Sequence, residues 1–427
     1  MTILVLFALT LLFLCFMSLY VRSPPFLSLL SGALLFGLAS GMGTEEVILA
    51  ITGGIGKVFG LFAIIILCGA VIAKTLQAQG ALVGMVEDIR RRVKNPFSLS
   101  ALAGYIFSLP LTCCITAFVM LSPVMGELEK DKRERNFLLY LTAAGSVLSY
   151  TVVYPTPVII PLFIGFGEGL SPLLYDLVAV PLSLSLLAGM VVFFRSRSSR
   201  DTRAGDGNNA GGPAESAGKR SPRTAWRAWA PFIAILFSIP LFSLVLHLSH
   251  GTVIQAAMGG GMATALLLAP GHAREAGILQ GTRHAGVIMF DICGAGAMGS
   301  VVLQSGFPGA VFPAVTGILP AVLIPFTFTA IIQAAQGSRV SSAVIASEVM
   351  AGSTIAGTLG PLPLVLSLAA GTCVISFLTD PYFWLLQRTT GEPARQVVLS
   401  YTLPLLAGGL VILCAALGLH YVLCPGT

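Results

Sequence analysis

The stretch that decides the fold is residues 98–125, SLSALAGYIFSLPLTCCITAFVMLSPVM, an apolar run without a charged side chain. It is interrupted by Pro110 and by a polar cluster at residues 112–116. Basic residues flank it on both sides: Arg90, Arg91, Arg92 and Lys94 precede it, and Lys130, Lys132, Arg133 and Arg135 follow it. Because basic loops stay on the cytoplasmic side, a crossing would put one cluster in the wrong compartment. The run is therefore predicted to be a re-entrant hairpin that enters and leaves from the cytoplasm.

The composition indicates that the whole chain lies in a membrane. Of 427 residues, 56% are hydrophobic and 10% are charged, and the mean hydropathy is +0.90. A soluble domain has about 25% charged residues, so a surface this poor in charge is expected to face lipid. Residues 3–20 follow no basic segment and show no clear cleavage site, which favours a first span over a removed signal peptide. The prediction is a multi-pass protein of the inner membrane.

The net charge of +6 does not indicate a nucleic-acid partner, because the basic residues lie in short loops between apolar segments. The eight cysteines are mostly scattered through apolar runs without metal-ligand spacing, so packing is their expected role. The sequence therefore predicts no nucleic-acid partner, no metal and no cofactor.

Apolar runs and their breakers divide the chain into two halves with the same order of elements. The first half, residues 1–194, has spans at 3–20, 25–40 and 58–77, the hairpin at 98–125, a span at 137–166 broken at 154–157, and a span at 173–194. Residues 195–227, rich in Gly, Ser, Arg and Asn, are predicted to be a flexible cytoplasmic linker. The second half, residues 228–427, has spans at 229–249, 253–269 and 285–304, an interrupted run at 312–350, a span at 362–386 broken at 379–381, and a span at 397–422.

The two halves are predicted to be inverted repeats. GAVIA at 69–73 resembles GAMGS at 296–300, and the flanks of 312–350 carry no Lys or Arg, so this second hairpin is predicted to enter from outside. Each half has five spans and one hairpin. Because an odd number of crossings ends on the opposite side of the membrane, the second half is inserted upside down relative to the first. Both termini then lie outside, and all Lys and Arg lie inside except Lys57 and Arg339. The predicted fold class is an all-α polytopic membrane protein of two inverted repeats, each with one re-entrant hairpin and one broken helix.

Inverted repeats with broken helices place substrate and ion sites near the midplane, where the breaks meet. Helix N-termini there offer N–H groups to an anion. Four breaks are expected to converge, and they supply the candidate substrate-binding residues: Thr112, Cys113, Thr116, Tyr154, Thr156, Gln336, Gly337, Ser338, Arg339, Ser341, Thr379 and Asp380.

Two patches carry a resemblance to a known family. AQGS at 335–338, followed by DPYFWL at 380–385, resembles the gluconate permease family of the ion-transporter superfamily. The resemblance implies proton-coupled uptake of sugar acids or related carboxylates by a homodimer with scaffold and mobile domains, moving in an elevator-like way. The chain departs from the family pattern in three places: it has YPTP at 154–157, FLT at 377–379, and Arg339 where the family has a small residue.

Arg339 and Asp291 are each open to two interpretations. A cation at a hairpin tip inside a membrane normally has a partner. Arg339 is expected either to bind a substrate carboxylate in fork geometry, or to reach the outer headgroups or pair with Glu348. Asp291, in the span at 285–304, is a candidate for taking up the coupling proton or a structural acid that pairs with Arg339 or caps a broken helix. Asp380 precedes a proline, and helix-break architecture is its favoured role.

The hydroxyls at the hairpin tips are expected either to bind substrate or to bond back to their own helices. His284 is assigned to an inner loop at the membrane interface.

The predicted function is a secondary transporter of an organic anion coupled to protons. The alternatives left open are a sodium-coupled or exchange carrier for another organic or inorganic anion, an anion channel, and a membrane-embedded enzyme. The enzyme is disfavoured because the sequence shows no catalytic constellation.

Overall fold

The computed structural model describes residues 2–423 apart from 127, 130, 168–169, 203–221, 243–245, 247–249, 352 and 375–378. All its regular elements within this part of the chain are helical. In the first half the helices are α1 (Thr2–Phe16, continued by a π-helical turn, Met17–Val21), α2 (Pro25–Ala39), α3 (Thr44–Ala78), α4 (Ala81–Arg90), α5 (Pro96–Leu111), α6 (Cys114–Gly126), α7 (Lys132–Val152), α8 (Ile159–Phe166) and α9 (Pro172–Thr202).

In the second half they are α10 (Pro222–Pro240), α11 (His250–Leu268), α12 (Gly271–Gln304), α13 (Phe307–Val315), α14 (Ile324–Gln336), α15 (Arg339–Ala351), α16 (Pro361–Cys373), α17 (Pro381–Thr390), α18 (Ala394–Val397) and α19 (Leu403–Leu423). Short 3₁₀ turns lie at Ala321–Leu323 and Thr354–Thr358, and a π-helical segment, Val398–Thr402, joins α18 to α19.

The helices confirm an all-α, multi-pass membrane protein. Among the described residues, six helices are long and apolar enough to cross a bilayer: Ile3–Val21, Thr44–Ala78, Pro172–Ser198, Gly251–Leu268, Gly271–Gln304 and Ala394–Val422. Large apolar side chains on them are exposed, among them Leu173, Leu177 and Val192. Apolar side chains in such number face outward when the surrounding medium is lipid.

The third predicted span of each half is longer in the structure than in the prediction. α3 begins at Thr44 rather than at residue 58, and Glu45 and Glu46 in its first turn interact favourably with the helix dipole. α12 begins at Gly271 rather than at residue 285. Charged residues at its start led to the loop assignment, but no proline interrupts the helix. His284 therefore lies within α12 and not in a loop.

The polar cluster at residues 112–116 does interrupt the first apolar run, and the run forms a helical hairpin. Asn95 caps α5 by accepting from the N–H groups of Phe97 and Ser98, at 2.9 and 3.4 Å. α5 ends at Thr112, whose φ is +50°, and α6 begins two residues later. The two helices pack against each other.

The second hairpin is shorter than predicted. It consists of α14 and α15, joined through Gly337 at φ +70°, and it begins near residue 321 rather than at 312. Residues 312–315 instead end the separate helix α13, which stops before Gly317 and Pro320.

Both predicted helix breaks are present. The chain leaves α7 at Val152 and enters α8 at Ile159, and it leaves α16 at Cys373 and enters α17 at Pro381. Phe377 and Leu378, two of the departures from the family pattern, lie outside the described residues.

The order of elements recurs in the two halves. The long helices α3 and α12 are each followed by a left-handed glycine, Gly80 and Gly306, and then by the short helices α4 and α13. A hairpin, a helix, a break with a short helix and a final long helical segment follow in both halves. α9 continues through residues 195–202 and α10 begins at 222, so both helices extend into the predicted linker, and residues 203–221 lie outside the described part. The opposite orientation of the halves stays a prediction.

The chain divides into two compact units, and each contains segments of both halves. The first unit comprises residues 1–62, 151–182 and 288–427, and it contains the second hairpin and both helix breaks. The second unit comprises residues 63–150 and 183–287, and it contains the first hairpin.

Candidate functional site

In the first unit, the tip of the α14–α15 hairpin packs directly on the second helix break. A Cβ at Gly337 would lie 2.1 Å from the backbone oxygen of Thr379, so only glycine fits this contact. The hydroxyl of Thr379 donates to the backbone oxygen of Ala334 at 2.8 Å. Two breaks that the sequence analysis expected to converge therefore touch through their backbones.

A buried ion pair joins the hairpin tip to the break. Arg339, the first residue of α15, is 5% exposed, and its Nη2 donates to Asp380 Oδ2 and to the hydroxyl of Tyr401, both at 3.0 Å. Asp380 is 1% exposed, and its Oδ1 accepts from the N–H of Tyr382 at 2.9 Å, which caps α17. A charge at this depth is tolerated when an opposite charge and further hydrogen bonds offset its desolvation. Among the described residues, Arg339 and Asp380 are the only buried Asp, Glu, Lys or Arg side chains.

The position of Arg339 excludes its two structural alternatives. Its burial keeps it away from the headgroups. Glu348 pairs with Lys57 at 2.8 Å, on a more exposed part of α3 and α15. Asp380, for which a role in the helix break was predicted, both caps α17 and neutralises the arginine.

Several buried polar atoms around this hairpin tip have no hydrogen-bond partner among the described residues. They are Gln333 Nε2, Gln336 Oε1 and Ser341 Oγ. Ser342, in contrast, donates back to the backbone oxygen of Ser338 at 2.8 Å, and Ser338 Oγ accepts from the N–H of Ser341 at 3.4 Å. The tip therefore combines a cation, an amide and a hydroxyl, which together suit a ligand with a carboxylate and hydroxyl groups.

The first break lies beside the second in the same unit. Cys373, at the end of α16, donates its thiol to Thr151 Oγ1 at 3.3 Å near the end of α7. Within the break, the N–H of Tyr154 is bound by Asp176, and Thr156 Oγ1 is buried without a partner among the described residues. Three of the four predicted breaks are thus brought together in the first unit.

The first hairpin, in the second unit, has a different tip. Thr112 packs so closely on α3 that a Cβ at Gly69 would lie 2.5 Å from its hydroxyl oxygen. Thr116 Oγ1 is 3.0 Å from His284 Nε2, and the N–H of Thr116 donates to the sulfur of Cys113 at 3.5 Å. This tip has polar groups and a histidine but no ion pair among the described residues.

Asp291 lies at the start of α2. Its half-buried side chain lies near the backbone N–H of Phe26, in the first turn of that helix. Arg339 pairs with Asp380 instead, at 3.0 Å. Asp291 therefore does not pair with Arg339, while its proton-carrying role and its capping of a broken helix stay predictions.

Three polar residues that contact the breaks were not among the residues predicted from the sequence: Asp176, His284 and Tyr401. Asp176 had a signal, because it is an acid inside the apolar run at 173–194. His284 was assigned to a loop. Tyr401 had no signal, since it belongs to the last span and reaches Arg339 only through the tertiary fold.

Polar and charged groups held at helix breaks inside a lipid-exposed helical protein are the arrangement of a membrane transporter. The chain belongs to the GntP permease family, whose model matches residues 1–269 and 272–422 and confirms the resemblance carried by residues 335–338 and 380–385. Within the part that the structure describes, no three His, Cys, Asp or Glu side chains group in a way that could hold a metal ion.

Relatives of this chain include permeases of several bacteria. An uncharacterised permease of Haemophilus influenzae is 24% identical over 88% of this chain and 84% of its own length. The low-affinity gluconate transporter of Escherichia coli K12 is 22% identical over 92% of each chain. The Gnt-II system L-idonate transporter of the same organism is 30% identical over 31% of this chain and 32% of its own length.

Two solved structures share the fold. The YdaH transporter of Alcanivorax borkumensis superposes with a TM-score of 0.63 at 18% identity, over 93% of this chain and 99% of that one. The MtrF antimetabolite efflux pump of Neisseria gonorrhoeae superposes with a TM-score of 0.56 at 12% identity, over 87% and 84%.

Proposed function

We propose that this permease is a secondary active transporter that carries a sugar acid or related organic carboxylate across the inner membrane together with a proton. The family supports transport, and the names of two relatives, a gluconate and an L-idonate transporter, point to polyhydroxylated monocarboxylates. The proposal includes elevator-like movement and a homodimer, which the family resemblance implies. It also includes inverted repeats with re-entrant hairpins, which the sequence predicts.

The observation that carries the proposal is the tip of the α14–α15 hairpin. Asp380 offsets the charge of the Arg339 guanidinium there. Since α15 begins at the same residue, the N-terminal dipole of that helix makes the tip favourable for an anion. Gln336 Oε1 and Ser341 Oγ are buried polar atoms without a partner among the described residues. In the proposed complex the carboxylate lies at the cationic end of α15 and the sugar hydroxyls pair with these groups.

Thr379 and the backbone at Gly337 and Ser338 line the same contact between tip and break. Tyr154 and Thr156 extend the proposed site to the first break, while Thr112, Cys113 and Thr116 stay proposed binding residues on the other hairpin. Asp291 is the residue for which the sequence predicts uptake of the coupling proton.

The test is uptake into proteoliposomes under an imposed proton or sodium gradient. The substrates are radiolabelled gluconate, idonate and a panel of other carboxylates. The variants are Arg339→Ala and, as a matched control, Lys57→Ala, which removes the cation of the exposed pair with Glu348. Proton-driven accumulation that is lost in Arg339→Ala and kept in Lys57→Ala is the expected result.

Other outcomes separate the alternatives. Accumulation driven by sodium, or only by exchange, selects the second kind of carrier. Accumulation that survives Arg339→Ala keeps the carrier and removes Arg339 from the binding site. No accumulation of any carboxylate by folded protein contradicts the proposed substrate class. Disulfide crosslinks between the hairpin helices and the scaffold spans should stop an elevator, and undiminished transport would rule that movement out.

A further inference from the structure

Two adjacent residues of α9 hold the backbone of the first helix break. Asp176 Oδ1 accepts from the N–H of Tyr154 at 2.9 Å, and the hydroxyl of Tyr175 donates to the backbone oxygen of Val152 at 2.8 Å. A break in a membrane helix exposes backbone groups that need partners. α9 supplies one acceptor and one donor for this purpose, on either side of Val153.

Asp176 has no cationic partner within 4 Å among the described residues. Among the described residues, the titratable side chains beside it are the phenols of Tyr154 and Tyr175. α8, on the far side of the break, packs on α15 and α16. The charged residues of α15 are already paired, Arg339 with Asp380 and Glu348 with Lys57, and the nearest titratable group of α16 is the thiol of Cys373.

The charged form of Asp176 therefore depends on the break itself for stabilisation. A carboxylate within a membrane span has a high free-energy cost when no cation pairs with it, which favours the neutral carboxylic acid. Hydrogen bonds to an ionised acceptor are about twice as strong as those between neutral groups. The bond to Tyr154 N–H thus favours the carboxylate, and a bound proton weakens the hold of α9 on the break.

We infer that Asp176 carries the coupling proton and transmits its charge state to the first helix break. The step adds one proton to the carboxylate, which becomes a carboxylic acid, and the reverse step returns it. The break is also where Tyr154 and Thr156 lie, and Thr156 Oγ1 is a buried hydroxyl without a partner among the described residues. Since coupling between two ligands is reciprocal, a substrate that binds better to the relaxed break also makes Asp176 bind its proton more tightly.

This inference rests on the proposed proton symport, so its test separates the two. Wild type, Asp176→Asn, Asp176→Glu and Asp291→Asn are reconstituted, and two quantities are measured with radiolabelled gluconate: accumulation driven by a proton gradient, and exchange across the membrane without a gradient. If gluconate is not taken up, the acid that wild type accumulates in the carboxylate panel replaces it.

Asp176→Asn mimics the protonated acid, so it is expected to keep exchange within about twofold and to lose gradient-driven accumulation. Asp176→Glu is expected to keep both, and Asp291→Asn to keep both. The substrate affinity of wild type should change with pH by a factor within the usual range of coupling, about 5–150-fold, and that of Asp176→Asn by close to none.

Gradient-driven accumulation by Asp176→Asn overturns the inference. Loss of gradient-driven accumulation in Asp291→Asn but not in Asp176→Asn also overturns it. If Asp176→Asn loses exchange together with accumulation and Asp176→Glu restores both, Asp176 has a structural role and the inference is wrong. If wild type responds to no proton gradient, the proposed symport itself fails, whatever the variants do.

Discussion

The two helical hairpins have the same backbone turn and different chemistry. Each ends its first helix at a residue with positive φ, Thr112 in one and Gly337 in the other. At the first tip the close contact is made by the side chain of Thr112 against a glycine of α3. At the second tip the glycine is in the turn itself, and a buried ion pair lies two residues beyond it.

The difference shows that a shared fold element is not a shared site. A left-handed turn needs only a residue that tolerates positive φ. Only the second tip combines that turn with a charge that the break beneath it neutralises. We therefore expect substitutions at the second tip to have much larger effects than those at the first.

The largest effect is expected from Gly337→Ala. Its Cβ would lie 2.1 Å from the backbone oxygen of Thr379, which no side-chain rotation relieves. Gly306→Ala is the matched control, because Gly306 also has positive φ, +75°, but nothing within 4 Å of its Cβ position. The control should cost about 1–2 kcal/mol, the price of a left-handed alanine. Thermal unfolding in detergent measures both, and equal losses would contradict the close contact.

The next effect is expected at the ion pair. Arg339→Ala leaves Asp380 buried and uncompensated, which typically costs about 3–5 kcal/mol. The double variant Arg339→Ala with Asp380→Asn removes both charges and should be more stable than Arg339→Ala alone. Thermal shifts of Arg339→Ala, Asp380→Asn and the double variant test this non-additivity. Additive losses would show that the two side chains do not depend on each other.

A smaller effect is expected from Tyr401→Phe, which removes one acceptor of the Arg339 guanidinium. Hydrogen bonds to charged groups contribute about 1.5–3 kcal/mol, against about 0.5–1.5 kcal/mol for neutral ones. Tyr105→Phe is the neutral comparison, because the hydroxyl of Tyr105 bonds that of Ser183 at 2.7 Å. The Tyr401 variant should lose more stability in a denaturation series. A larger loss in the Tyr105 variant would argue against a charge-strengthened bond.

The smallest effect is expected at the first tip, from Thr116→Val. It removes the bond to His284, at a cost of about 0.5–1.5 kcal/mol for neutral partners. The exposed Thr282, which bonds back to its own helix at Ile278, is the control for the same change. Thermal unfolding in detergent measures both losses of stability. An equal loss in the two variants would show that the bond to His284 adds nothing to the stability of the first tip.

Much of the local structure could be predicted from the sequence, because prolines and polar clusters end apolar helices. The turn near Thr112, the break after Val152 and the break before Pro381 were all visible in this way. The start of the second hairpin was misplaced, since apolar residues 312–315 look the same in a hairpin arm as in the separate helix α13. The spans α3 and α12 were predicted too short, because charged residues at a membrane boundary do not stop a helix when no proline is present.

The sequence predicted which residues form the candidate site better than it predicted the contacts among them. Arg339 and Asp380 were both singled out, yet each was given a different role, because nothing in a spacing of forty-one positions shows that two side chains meet. Asp176 was overlooked although it is an acid in an apolar run, because its partner is a backbone N–H of a helix break twenty-two positions earlier in the chain.

By itself the sequence determined that this chain lies in a membrane, that it is helical, where its helices break and which family it belongs to. These properties depend on apolar run length, on proline and on short motifs, all of which are local along the chain. Only the tertiary structure decided that the second hairpin tip rests on a helix break, that Arg339 is neutralised by Asp380 and that Asp176 holds the first break. The physical reason is that burial of a charge or a backbone group acquires its cost and its partner only when distant segments pack together.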